Sequence, residues 1–117
     1  INMPQFKFKN KNYSHAVEFA LEKIGGIWKM PVLWRLKSKS MRFGEIKNDI
    51  AGISDKVLAT QLRQLESDGF IFRKVIPDIP VKVEYSLTSR GKRALKMITM
   101  MRTYSMNLVK DFIKDKK

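Results

Sequence analysis

The side chains that carry out covalent or acid–base chemistry are scarce in this sequence of 117 residues. Cysteine is absent and His15 is the only histidine, so the chain offers no thiolate nucleophile, no disulfide and no cluster of soft metal ligands. The glycine-rich phosphate loops and the nucleophile motif G-x-S-x-G are also missing. Glu18, Glu22 and Glu45 share no evident cleft, so we assign them no acid–base role. We therefore predict no enzyme, no metal site and no cofactor.

Positive charge is the chemistry that the chain does carry. It contains 24 Lys and Arg against 11 Asp and Glu, a formal net charge of +13. The surplus recurs in separate segments, most strongly over 29–47 and 90–96, as expected when several elements contribute to one surface. Such a surplus is typical of proteins that bind a polyanion, which is DNA, RNA or an anionic membrane surface. A domain with a generally basic surface and no polyanionic partner is the alternative that composition leaves open.

The remaining composition is that of a folded chain. Apolar residues make up 44% of it, which excludes a wholly disordered protein. The length predicts one domain over 1–117. No apolar run approaches 18 residues, so we predict no membrane-spanning helix. The start, 1–12, is polar and basic and shows no signal-peptide pattern.

The spacing of apolar residues predicts an ordered series of helices and strands. Leu58, Leu62 and Leu65 form the apolar stripe of a helix that Ser54 caps and Gly69 ends. At residue 70 the helical period gives way to aromatic and β-branched residues, which indicate two strands joined by a turn. The predicted order is an N-terminal arm (1–13), helices 1 and 2 (14–38), a helix–turn–helix (43–68), a β-wing (70–87) and a last helix (89–114).

Capping residues and turns set the predicted boundaries. Ser14 is the expected N-cap of helix 1, over 15–24, and Thr88 is that of the last helix. The second helix is expected to run from about 29 to 37, and the wing strands are expected over 70–76 and 81–87.

These elements predict an α+β fold that is mostly α. A helix–turn–helix followed by a hairpin is a winged helix-turn-helix with a two-stranded β-wing, flanked here by N- and C-terminal helices. The apolar stripe of the last helix is wider than one small winged domain can cover, so we expect these flanking helices to form a homodimer. A hydrophobic site for a small-molecule effector, between this dimer interface and the winged domain, is a further alternative. The residues expected at the dimer interface are Val17, Ala20, Leu21, Ile98, Met101, Tyr104, Leu108 and Phe112.

Four segments of the chain resemble HxlR-type (MarR-like) winged helix-turn-helix transcriptional regulators. They follow in register over about 15–95 without a large gap. The resemblance implies a bacterial regulator, often a repressor, that binds operator DNA as a homodimer. It also implies that the first and last helices form the dimer interface. We therefore expect a cytoplasmic, nucleoid-associated protein. The segments are His15-Ala16-Val17-Glu18 with Ile24-Gly25-Gly26-Ile27-Trp28-Lys29, then Arg42-Phe43-Gly44-Glu45-Ile46, then 52–70, and Pro77-Asp78-Ile79-Pro80 running on to Thr88.

Two positions depart from the family pattern. Many members carry a cysteine near the start of the first helix, where this chain has His15. A switch based on thiol oxidation is therefore excluded within these residues. A basic residue commonly follows the glycine pair, where this chain has Ile27.

The polar face of the helix at 55–67 is the predicted DNA-reading surface. A polar helix face is by default only solvated, but the hairpin and the resemblance favour DNA contact. In a helix–turn–helix this face enters the major groove, where Arg or Lys bonds guanine and Gln bonds adenine. Two such helices in a dimer would read an inverted repeat in double-stranded DNA. The expected contacts are Arg42, Ser54, Lys56, Val57, Thr60, Gln61, Arg63, Gln64 and, at the wing tip, Lys82.

Two other functions compete with this interpretation. A winged helix that binds proteins, and does not bind an operator, would show no salt-dependent DNA binding and would tolerate Arg63→Ala. A single-strand or RNA binder would display aromatic side chains on a basic sheet, whereas the aromatic residues here lie at apolar-periodic positions.

Overall fold

The computed structural model describes residues 6–115 as a chain of helices with two small antiparallel sheets. The fold is the predicted winged helix-turn-helix, α+β with mostly helical content. Its helices are α1 (Ala16–Ile24), α2 (Lys29–Arg35), α3 (Phe43–Asp49), α4 (Asp55–Ser67) and α5 (Ser89–Asp115). Its strands are β1 (Phe6–Phe8), β2 (Lys11–Tyr13), β3 (Met41–Arg42), β4 (Ile71–Ile76) and β5 (Lys82–Leu87). The first five residues of the predicted arm lie outside the described residues.

A β-hairpin stands where the sequence predicts only an arm. Strands β1 and β2 pair antiparallel, with Phe8 opposite Lys11. Lys9 and Asn10 form the turn, and both have positive φ, 49° and 63°, as a two-residue type I′ turn requires. The hairpin packs on α1 through ring contacts, because Phe19 meets Phe8 and Tyr13 edge to face at centroid distances of 5.2 Å.

The start of α1 differs from the prediction. Ser14 is not the N-cap; His15 holds that position and makes no side-chain capping bond. The helix begins one residue later because the β2 strand runs up to Tyr13, and the Ser14 backbone N–H is instead satisfied by the Glu18 carboxylate at 3.1 Å. Helix α2 ends at Arg35, two residues before the predicted end.

The core joins the helix–turn–helix to α2, the wing and the first half of α5. It contains the predicted leucine stripe of α4 together with apolar residues from every neighbouring element. Because these side chains are almost fully withdrawn from water, the helix–turn–helix is a rigid unit. The core residues are Ile24, Val32, Leu33, Leu36, Met41, Ile46, Ile50, Ile53, Leu58, Leu62, Leu65, Ile71, Tyr85, Leu87 and Ile98.

The two-stranded wing, β4 and β5, is part of a three-stranded sheet. Strand order is β3-β5-β4, all antiparallel, and the additional strand β3 pairs Met41 with Tyr85. The second wing strand begins at Lys82, so Val81 belongs to the loop and is 62% exposed. The short strand β3 ties the residue before α3 to the wing, which fixes the wing relative to the helix–turn–helix.

The end of α4 is locked to the start of α5. Gly69, at φ +79°, gives α4 a Schellman ending, in which Phe70 N–H bonds Leu65 O at 2.8 Å. Thr88 is the N-cap of α5, accepting from Gly91 N–H at 3.1 Å, and its hydroxyl also donates to Gly69 O at 2.6 Å. One threonine thus closes one helix and opens the next.

Helix α5 extends beyond the domain that it begins in. It has 27 residues, about 40 Å of helix, and every residue from 99 to 115 is exposed. The radius of gyration is 16.8 Å, whereas a compact chain of this length has about 13 Å. No helix among the described residues is long and apolar enough to cross a membrane.

Candidate nucleic-acid interface

Helix α4 presents its polar face to solvent because the opposite face is fully buried. Leu58, Leu62 and Leu65 are at most 2% exposed, and at 3.6 residues per turn this directs the opposite positions outwards. Lys56, Arg63 and Gln64 are exposed there, while Val57, Thr60 and Gln61 are half-buried on the flanks. Val57 packs against the core, so its side chain has little surface left for a partner.

The amino end of α4 is well defined. Ser54 caps the helix, accepting from Val57 N–H at 3.1 Å. Asp55, in the first turn, pairs with Lys47 of α3 at 2.9 Å between the Nζ and Oδ1 atoms. This pair joins the two helices of the helix–turn–helix and removes one lysine from the free positive charge of the surface.

The cations predicted to meet DNA differ in their present partners. Arg42 lies beside Glu45, at 3.9 Å, and Lys82 pairs with Asp78 at 3.2 Å. Lys56 and Arg63 form no ion pair with any residue between 6 and 115. Arg63 makes only a long hydrogen bond, 3.4 Å, to the Thr60 hydroxyl. Lys56 and Arg63 are thus the α4 cations most available to an anion.

A cleft between α4 and the wing brings a further arginine beside the predicted contacts. Arg63 of α4, Arg73 of β4 and the carboxylate-bearing Glu66 line the same cleft of about 430 Å³. Phe43 and Tyr85 form its apolar wall. The sequence alone leaves two roles open for Arg73, a DNA contact or a charge that keeps an edge strand from aggregating, because its position relative to α4 depends on strand pairing.

A cluster of Lys11, Tyr13 and Glu22, in the N-terminal hairpin and α1, contains side chains with shifted pKa values. Glu22 of α1 accepts hydrogen bonds from Lys11 Nζ and, at 2.7 Å, from Tyr13 Oη. These two hydrogen bonds, the one from Lys11 being the larger cause, lower the pKa of Glu22 below its ordinary value. The same hydrogen bonds raise the pKa of Lys11 and of Tyr13. The cluster fastens the N-terminal hairpin to α1.

Comparison with known protein families assigns the chain to one of them. The model for the HxlR-like helix-turn-helix matches residues 23–112, which include the helix–turn–helix, the wing and most of α5. The chain belongs to the HxlR-like helix-turn-helix family. MalR of Fusobacterium mortiferum is 42% identical over 94 residues, 80% of this chain and 88% of its own length. YdzF of Bacillus subtilis, an HTH-type transcriptional regulator, is 42% identical over 90 residues, 76% of this chain and 83% of its own.

A solved structure of a regulator has the same fold as this chain. The redox regulator HypR in its reduced form gives a TM-score of 0.79 at 34% identity, covering 86% of this chain and 98% of its own. Relatives and neighbours are transcriptional regulators and not enzymes, so this HxlR-like chain is a regulator whose helix–turn–helix implies DNA binding. Among residues 6–115 no group of His, Asp and Glu is placed to hold a metal ion.

The second half of α5 carries exposed apolar side chains that belong to the predicted dimer interface. Met101, Tyr104, Leu108 and Phe112 are 43, 60, 38 and 63% exposed. On α1, Val17 and Leu21 are exposed by 52 and 58%. Both sets have the exposure that the predicted dimer interface requires.

One residue of the predicted dimer set is buried within its own protomer. Ile98 is 2% exposed and belongs to the core of its own protomer, so it is withdrawn from the interface set. The periodicity of α5 places Ile98 on the same stripe as Met101, but α2 packs against α5 at this level and covers it. Ala20 is exposed and lines a cavity with Phe19 and Lys23, beside the Val17 and Leu21 surface.

Proposed function

We propose that this chain is a homodimeric repressor that binds an inverted-repeat operator in double-stranded DNA, at the bacterial nucleoid. The observation that carries the proposal is the outer face of α4. It is a rigid, capped helix whose buried leucine stripe turns Lys56 and Arg63 outwards, both without an ion pair in the described chain. Unpaired cations on a helix of this kind suit the major groove.

The residues around α4 divide by the part of DNA that they reach. Arg63 and Gln64 lie on the exposed face and read base edges. Ser54 and Lys56, at the amino end of the helix, hold a phosphate, because the first backbone N–H groups of a helix favour an anion. Thr60 and Gln61, half-buried, contribute from the flanks of the same face.

The wing side of the site supplies contacts to the DNA backbone. Arg73 and Arg63 line the same cleft, where two guanidinium groups outnumber the single carboxylate of Glu66, so the cleft favours a phosphate. Arg42 and Lys82 are each beside a carboxylate, Glu45 and Asp78. Those two cations therefore exchange an ion pair for a phosphate and contribute less to affinity than Arg63 and Arg73.

The dimer follows from the exposed half of α5. A helix that leaves Tyr104, Leu108 and Phe112 in water exposes more contiguous apolar surface than monomers usually carry. Pairing with the same surface of a second copy is the closed, two-fold arrangement commonest among homodimers. Two α4 helices related by that axis would meet half-sites about one helical turn apart.

A salt titration of duplex binding tests this function. Selection from a random-sequence duplex library supplies the preferred site, and its affinity is then measured against that for a scrambled duplex. We expect log affinity to fall linearly with log salt and Arg63→Ala to lose about ten-fold or more of the preference, while weak general binding survives. Lys96→Ala is the control, since it removes one positive charge from an exposed position of α5.

Two results would contradict the proposal. One is a selection that enriches no sequence. The other is a weak affinity that neither salt nor Arg63→Ala changes. In that case the exposed apolar surfaces would be the place to seek a protein partner.

A further inference from the structure

A second concave surface lies at the carboxyl end of α4. It is a cavity of about 620 Å³ between the N-terminal hairpin, α1, the last turn of α4 and the first turns of α5. This volume is within the range of small-molecule sites, about 300–1,000 Å³. The cavity lined by Trp34 and Met101 between α2 and α5, where the sequence analysis expects an effector, is about 320 Å³, and its Arg102 stands over Trp34 at 4.3 Å.

Aromatic rings make the apolar part of the larger cavity. Phe8 comes from the hairpin, Phe19 from α1 and Phe70 from the turn after α4. Phe8 and Phe19 meet edge to face at 5.2 Å, and Lys9 and Lys23 stand over these rings. Ala20 and Ala94 line the cavity as well, and their small side chains keep it open.

Four cations surround this apolar lining: Lys9, Lys23, Arg90 and Arg93. Asp68 is the one carboxylate among the described lining residues, and it lies 3.7 Å from Lys23. Lys23 stands over the rings of Phe8 and Phe19 at 5.4 and 5.3 Å, so it faces the cavity and not bulk water. The cavity therefore combines an apolar interior with an excess of positive charge at its edge.

We propose that this cavity binds an amphipathic organic anion, a carboxylate carried on an apolar body, and that the ligand regulates DNA binding. The rings and alanines take the apolar body, while Arg93 and Lys9 take the carboxylate. Arg93 is the best placed guanidinium, because its only hydrogen bond in the described chain is to Ser89 of its own helix at 2.9 Å. Arg90 is already committed to the Asp68 carbonyl at 2.6 Å.

The route from this cavity to DNA is the end of α4. Asp68 is the C-cap of α4, and its carbonyl is held by Arg90. Phe70, whose ring lines the cavity, closes the helix through its N–H bond to Leu65. A ligand that displaces Phe70, or that draws Arg90 away from the Asp68 carbonyl, would change the hydrogen bonds at the carboxyl end of α4 and so the position of this helix. This regulatory part of the inference rests on the proposed function, whereas the binding site does not.

The site is tested by calorimetric titration of the full chain in the absence of DNA. The probes are 2-naphthoate and decanoate, which separate an aromatic from an aliphatic body, and 2-naphthylmethanol, which lacks the charge. We expect one of the two carboxylates to give saturable binding with a Kd of about 1 mM or tighter, as expected for a ligand of that size. The alcohol is expected to bind more weakly. Arg93→Gln is expected to weaken the carboxylate by about three- to five-fold and to leave the alcohol unchanged.

Lys92→Gln is the matched control, because it removes the same charge from the next, exposed position of α5, outside the cavity. Ala20→Leu, at an exposed helix position that lines the cavity, fills the space and is expected to weaken both carboxylate and alcohol. Equal binding of acid and alcohol, an equal effect of the two Gln variants, or binding that never saturates would each overturn the site.

The regulatory part is tested with the selected operator. Saturating carboxylate is expected to change the Kd for the operator by about five-fold or more, and the operator is expected to change the carboxylate Kd by the same factor. Ligand binding with an unchanged operator Kd would overturn regulation and leave the site standing. Failure of the ligand-free chain to select any duplex would instead refute the proposed function, and the calorimetry would still decide the site.

Discussion

Gly91 lies in the first turn of α5, where this helix passes closest to the turn after α4. A Cβ atom at this position would lie 2.2 Å from the Phe70 carbonyl oxygen and 3.1 Å from the Leu87 Cδ2 atom. The first distance is far shorter than van der Waals contact, and its partner is a backbone atom that cannot swing aside. Gly91→Ala therefore has to move the start of α5 relative to the wing.

The cost of Gly91→Ala follows from the bonds at the junction. Phe70 O accepts from Thr88 N–H at 3.1 Å, and Thr88 also holds Gly69 O. Overpacking of this kind costs about 1–3 kcal/mol, and a weakened hydrogen bond adds about 1 kcal/mol. Alanine returns about 1 kcal/mol through its higher helix propensity. We expect a net loss of about 2 kcal/mol, a fall in Tm of about 8 °C for a domain of this size.

Gly44→Ala is the matched control for this prediction. Gly44 is also inside a helix, α3, but a Cβ there meets no atom within 4 Å. Without a clash only the propensity gain remains, about 0.5–1 kcal/mol, so Tm should rise. Thermal unfolding followed by circular dichroism, at one fixed protein concentration, measures both variants. If Gly91→Ala is as stable as the parent, or if both variants fall equally, the close approach of α5 to Phe70 is refuted.

Two further predictions concern association and pH. Phe112→Glu places a charge on the exposed apolar stripe of α5 and is expected to weaken dimerisation by about 100-fold or more in sedimentation analysis. Asn107→Glu, an equal charge change on the same helix, should weaken dimerisation much less. Equal effects of the two variants would show that the stripe is not the interface. The hydrogen bonds from Lys11 and Tyr13 lower the pKa of Glu22, so this carboxylate contributes stability that is present above the ordinary Glu pKa and is lost as pH falls through the lowered value. The Tm of Glu22→Gln should consequently fall less than that of the parent between neutral pH and pH 3, and parallel pH curves would contradict the cluster.

Local signals in the sequence were sufficient to predict α4. Ser54 and Gly69 mark both ends of α4, and its leucines alternate at helical spacing, so its predicted bounds, 55–67, agree with the structure. The N-terminal hairpin was not predicted, because its turn, Lys9-Asn10, contains no glycine and its strands have three residues each. Strand β3 has two residues and exists only through its pairing with β5.

Tertiary placement accounts for the remaining differences. The spacing of apolar residues on α5 predicts one continuous stripe, but it cannot tell where the protomer's own core ends. Ile98 lies on the covered side of that limit and Met101 on the exposed side. The cleft that brings Arg73 near Arg63 depends on the packing of a strand beside a helix, which no periodic pattern within one segment encodes.

Under the proposed homodimer, the order of the exposed half of α5 depends on protein concentration. Every residue from 99 to 115 is exposed in one protomer, and an isolated helix of that length is only marginally stable in water. Association would supply the missing free energy, so dilution should fray these last turns while the winged core stays folded. A dilute protomer would then expose a segment open to proteolysis and would hold a single recognition helix. Under the proposed homodimer, the level of gene expression would set both the lifetime of the protein and its occupancy of DNA.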